Sequence, residues 1–141
     1  MIYSTQIQKF AKGGIVAVAN HIKSLSSDIE MVIKRKEIDY ELFYKLVNVD
    51  YSLIKKNIGN EQKLYSFASK FLSFTLTDVY PIMDRRVRTI LGLSDSVSYE
   101  SFCNEINNIK ENYKRKYEID MSFKQWDMFL WQWEKELEKG V

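Results

Sequence analysis

The chain holds one proline, one cysteine, one histidine and five glycines in 141 residues. Each scarcity excludes something. A lone Cys103 can build neither an internal disulfide framework nor a cysteine-based zinc site. A lone His21 leaves no imidazole cluster for a metal and none to spare for a Ser-His-Asp triad, so we expect no metal and no cofactor. So little glycine and proline leaves an all-β fold without its turn chemistry. No apolar run approaches the roughly 20 residues of a membrane span, and Met1 to Phe10 lack a basic-then-apolar leader pattern. The expectation is a soluble, cytoplasmic protein with no membrane contact. Charge of one sign is also scarce: the net is +2 and the pI about 8.5. That permits a nucleic-acid partner without requiring one.

Apolar residues are plentiful at 45%, with aromatics at 14%, which excludes a disordered chain. A chain of this length buries about two-thirds of its unfolded surface. Apolar positions recur at three and four. We therefore expect an all-α protein: a single compact multi-helix domain over residues 1–141, with six or seven helices and no strand.

In chain order, a first helix should follow Ser4 and bury Ile7, Phe10, Ala11, Ile15, Val18, Ala19 and Ile22. Gly13-Gly14 within it reads as a weak spot or a close packing contact. His21, near its end, reads as a structural histidine, with a general base as the sharper alternative. Ser26-Ser27-Asp28 should cap a helix through about Lys36, with Ile29, Val32 and Ile33 inward and the basic run Lys34-Arg35-Lys36 at its end. Asp39 should cap a helix carrying Leu42, Phe43, Leu46 and Val47. Tyr51 to Ile58 reads as a further short helix before Gly59 and Asn60, a C′ and N-cap pair. Asn60 to about Leu76 should be the central helix. Asp84 should cap Arg85 to Leu91, closed by Gly92. Ser98 should cap Tyr99 to about Tyr117, which ends in Lys114-Arg115-Lys116 and turns Ile109 and Tyr113 inward. Ser122 should cap a last helix whose inward stripe is Phe123, Trp126, Phe129, Leu130, Trp133 and Leu137, with Trp131 near the edge of that stripe, a partly covered ring or else an exposed one for a partner.

The chemistry concentrates around the only proline. Lys70 is an amine on an apolar helix, and a lysine with its pKa lowered by burial can form a Schiff base. Asp84 is a carboxylate at a helix start, able to stabilise a developing cation or orient water. Arg85, Arg86 and Arg88 put three cations within one turn, as phosphate binding would use. Phe74 and Tyr80 flank the turn. Such a set suits N-glycosidic bond chemistry on a flipped nucleotide. The structural alternative stands beside it: Asp84 as a cap, Lys70 paired with Asp78 or another carboxylate, and the arginines as surface.

Ser69-Lys70-Phe71-Leu72 followed by Val79-Tyr80-Pro81-Ile82-Met83-Asp84-Arg85-Arg86-Val87 resembles the lysine helix and the Pro-Val-Asp-x-x-Val segment of the helix–hairpin–helix DNA glycosylase superfamily. It looks closer to a bacterial branch with an 8-oxoguanine glycosylase-like fold, whose C-terminal Asp-x-x-Leu-Trp signature resembles Asp127-Met128-Phe129-Leu130-Trp131. The likeness covers residues 60–92 and 122–135. It implies a glycosylase-like fold around the Lys70–Asp84 segment, DNA as partner, Lys70 as the Schiff-base lysine and Asp84 as the catalytic aspartate. Arg85, Arg86, Arg88 and Lys63 would contact nucleic acid. The family's Leu-Pro-Gly-x-Gly hairpin is missing, with Ile58-Gly59-Asn60-Glu61-Gln62 in its place, so a reduced or inactive relative fits the same pattern. The alternative is a non-enzymatic protein-interaction module, such as a phage-defence or counter-defence factor, that uses Trp131 and the aromatic C-terminal helix.

Overall fold

The computed structural model describes residues 12–49, 64–76 and 78–140, with side chains from residue 15 onward. Seven helices account for most of them: α1 (Lys12–Ser24), α2 (Ser26–Arg35), α3 (Tyr40–Val47), α4 (Tyr65–Thr75), α5 (Arg85–Ile90), α6 (Tyr99–Tyr117) and α7 (Phe123–Glu138). No strand occurs among the described residues, so the fold is all-α. None of these helices is long and apolar enough to cross a membrane.

Four helix starts are fixed by local side-chain chemistry. Asp39 accepts from the Leu42 N–H at 3.0 Å, Asp84 from Arg86 at 2.9 Å and Ser98 from Ser101 at 3.1 Å. Ser122 and Gln125 form a reciprocal capping box on α7. Gly92, at φ +67°, turns the chain out of α5. Two starts differ from expectation. α2 begins without a side-chain cap. α4 begins at Tyr65 rather than Asn60, because Leu64 is non-helical and fully buried. The readings placed on Ser4, Ile7, Phe10, Ala11, Tyr51–Ile58, Gly59 and Asn60 lie outside the described residues.

The main core gathers residues from α2 to α7, and a smaller cluster joins Ala17 and Val18 to Val49, Leu64 and Phe67. Ile22 and Phe71 pack against both. At the centre the Tyr99 ring stacks on Phe43, with centroids 3.7 Å apart. The turn around Pro81 is threaded into this centre. The Tyr99 hydroxyl donates to the Pro81 carbonyl at 2.6 Å, the Tyr80 hydroxyl accepts from the Asp39 N–H at 2.7 Å, and the Met83 N–H reaches Ser69 Oγ at 3.0 Å. These bonds let Tyr80 and Tyr99 be wholly buried without an unsatisfied hydroxyl. Tyr80 is thus a core residue, while Phe74 stands 59% exposed.

Several helix faces are rotated from the expected ones. Val18 and Val32 are buried as expected, but Ile15, Ala19 and Ile33 are exposed and Ala17 is buried. The largest difference is on α7, which buries Trp126, Asp127, Leu130 and Glu134 and leaves Phe129, Trp133 and Leu137 about half exposed. Tyr113, expected inward, is 37% exposed.

Cys103 lies inside the main core, and burial pushes its thiol up from 9.0 to about 12. The folded thiol therefore keeps its proton where the unfolded one has lost it, so rising pH favours unfolding. Stability from this group should be complete below about pH 9 and fall by about 1.4 kcal/mol per pH unit toward about pH 12. Urea midpoints on either side of pH 9 check this, with Cys103→Ala expected to flatten the fall. Burial also raises Tyr80 and Tyr99, so a residual slope should remain.

The Lys70–Asp84 pair as a candidate functional site

Lys70 sits on the inward side of α4, 4% exposed, with Ser69 beside it at 0%. A lysine so placed requires a partner, because an isolated ammonium in an apolar interior is strongly penalised. The Pro81 turn brings one. Asp84 Oδ2 lies 3.6 Å from Lys70 Nζ, while its other oxygen caps α5. Each carboxylate oxygen thus has a separate task. The pair's open side is the acid, whose side chain is 21% exposed against 5% for the lysine. Ser69 fixes the approach of the two segments: its hydroxyl donates to the Ser66 carbonyl at 3.1 Å and accepts from Met83. Sequence reasoning gave Ser69 no role, although it stands within the motif. Lys70 pairs with Asp84 and not with Asp78, which instead accepts from the Phe123 N–H at 2.7 Å.

The three arginines do not form a shared anion site. Arg86 donates to Glu134 and Glu138, each at 2.6 Å, and its guanidinium lies 5.4 Å from the Trp131 ring centre. Bonds to Glu138 and Glu134 hold its pKa above the usual range. Arg88 closes the following loop, donating to the Asp95 carbonyl at 3.1 Å and lying 3.7 Å from its carboxylate. Arg85 is exposed and makes no ion pair among the described residues. Lys63 lies outside the described residues.

Trp131 is a partly covered ring, the plainer of its two readings, and not an exposed one. It is half-buried against the core, between Arg86 and Lys135, whose Nζ lies 5.0 Å from the ring centre. The reason is the Arg86–Glu134 contact, which turns a charged residue inward and with it the neighbouring face of α7. Asp127, the acid of the Asp-x-x-Leu-Trp run, is 4% exposed on that same buried side. Glu134 and Glu138, the partners of Arg86, were not singled out. The pairing spans 48 and 52 residues, and no local spacing signals it.

His21 Nε2 lies 2.5 Å from the Lys45 carbonyl, which gives it a structural contact. No group of three His, Cys, Asp or Glu among the described residues is arranged to hold a metal ion. The arrangement at Lys70 and Asp84 offers an amine, a carboxylate 3.6 Å from it, and a partly open side next to a helix start. The chain matches no protein-family model, no curated protein and no solved structure.

Proposed function

We propose that the protein is a cytoplasmic, nucleic-acid-associated relative of the base-excision DNA glycosylases, with Lys70 and Asp84 as its reactive pair. The observation that supports this most is the 3.6 Å approach of two residues that stand 14 apart in sequence and that the resemblance assigns to one mechanism. In that mechanism a nucleotide is flipped from the duplex. Asp84 stabilises the cationic character of the sugar or activates the nucleophile, the Lys70 amine bonds to C1′ as the base, or water at an abasic site, departs, and opening of the C1′–O4′ bond leaves an imine. Arg85 is the arginine left to meet phosphate. A scaffold that keeps the pair but not the chemistry would bind without forming the imine.

The test uses a labelled duplex with an abasic site against an intact one, by fluorescence anisotropy and by borohydride trapping. Tighter binding to the lesion is expected, weakened by added salt and by Arg85→Ala, with a trapped adduct absent in Lys70→Met. Equal affinity for both duplexes and no adduct would sink the reading. The second reading, a protein-interaction module, draws on the exposure of Phe129, Trp133 and Leu137 at 46–51% along α7. Exposed apolar groups in a contiguous row mark contact surfaces.

A further inference from the structure

The positive charges divide into those the fold neutralises and those it leaves. Lys70, Arg86, Arg88, Lys110 and Lys114 each lie within 4.0 Å of a carboxylate. Arg115 and Lys116, at the end of α6, are exposed and pair with no carboxylate among the described residues. They share an open depression with Asn112, Tyr113 and Tyr117, and no acid lines it. Arg115 donates to Asn112 Oδ1 at 2.5 Å, and Lys116 Nζ lies 5.2 Å from the centre of the Tyr117 ring.

Of the two tyrosines, Tyr113 meets the core only at its edge, through Trp126, and Tyr117 does not meet it. Residues 111–120 are all exposed, so the last turns of α6 stand clear of it. Tyr113 and Tyr117 are 37% and 53% exposed, with ring centres 5.3 Å apart. The row continues edge-on from Tyr113 to Trp126 and then to Phe129. This projecting end is well fastened. Glu118 takes the left-handed conformation at φ 59°, its N–H returns to Lys114, and the Ile119 N–H returns to Tyr113. Asp120 reaches back to Lys110 at 3.4 Å and Lys114 at 3.3 Å, which holds its carboxyl below the usual range.

We infer that this end of α6 docks single-stranded nucleic acid, with unpaired bases on Tyr113 and Tyr117 and the phosphates between them on Arg115 and Lys116. Aromatic faces beside unneutralised cations are what a single strand requires, since a duplex hides the faces of its bases. Lys116 over Tyr117 already occupies the place a base would take. The inference deepens the nucleic-acid reading and rests on it for the class of partner, but the surface shares no residue with the Lys70–Asp84 pair.

The test is anisotropy with labelled oligothymidine against a paired duplex of equal length, in low and moderate salt. The single strand should bind more tightly. Tyr117→Ala should weaken it about tenfold, with Tyr117→Phe close to wild type. Arg115→Ala with Lys116→Ala should weaken it and flatten its salt dependence. Circular dichroism should show all variants folded, because none of these side chains enters the core. Binding that ignores these substitutions, a duplex held as tightly as the strand, or no binding in low salt would overturn the inference. So would polyglutamate competing as well as oligothymidine, which would mark a docking site for acidic protein. Trapping at Lys70 on the abasic duplex is scored in the same proteins. Trapping retained without strand binding removes the α6 surface alone, and strand binding retained without trapping removes the catalytic reading alone.

Discussion

Tyr99→Ala is expected to lower stability by about 4 kcal/mol, and Tyr99→Phe by about 1 kcal/mol. The ring is wholly buried, stacked on Phe43 and edge-on to Tyr40 with centres 6.2 Å apart. Alanine there removes the stack on Phe43 that joins α3 to α6 and leaves a cavity in the core. Phenylalanine keeps the ring and loses the hydroxyl's bond to the Pro81 carbonyl and its contact with the Cys103 thiol. Since a domain of this size holds about 5–15 kcal/mol in all, the alanine variant should be near the limit of folding. Urea unfolding measures both. Equal losses in the two variants would mean that the bridge to Pro81, and not the ring, holds this part of the core.

Lys70→Met is expected to lose about 3 kcal/mol, although it removes an amine from an apolar setting. Methionine fills the space of the lysine stem, so packing changes little. The loss comes from Asp84, left as a charge near the interior with its lysine gone. Replacing that acid as well should restore most of it. In Lys70→Met with Asp84→Ser no charge remains, and serine still caps α5. Chemical unfolding of both single variants and the double closes the cycle. A Lys70→Met protein as stable as wild type would show that the pair adds nothing to the fold, and would leave chemistry as the reason for the two residues. A double variant no better than the single would show that the lysine, and not its charge on the acid, is what the core requires.

How much of this was legible in the sequence depends on the distance over which each feature is decided. The caps at Asp39, Asp84, Ser98 and Ser122 were readable because a short oxygen-bearing side chain meets an amide two or three residues on. The all-helical class followed from apolar recurrence. The face of α7 did not. Trp131 and Trp133 lie on different sides of one helix, and hydrophobicity ranks them alike. What decides between them is Arg86, which brings Glu134 inward from 48 residues away. The same holds for the site. That Lys70 would meet a carboxylate was readable from its apolar surroundings, but only Asp78 was named for it, and Asp84 was left as a cap. The backbone decides otherwise: Asp78 takes φ 70° and accepts from the first N–H of α7, and Asp84 meets the lysine.

The Pro81 turn has no regular structure of its own, yet its bonds end on three other parts of the chain: the α3 cap Asp39, α4 through Ser69, and α6 through Tyr99. A loop on the surface opens alone, at little free-energy cost. This one cannot, because freeing it breaks a contact to each of those elements and exposes Tyr80 and Tyr99 together. The turn and the core therefore open as one unit. The segment that carries the candidate site is expected to open with the core, and Asp84 to be held by more than its own turn.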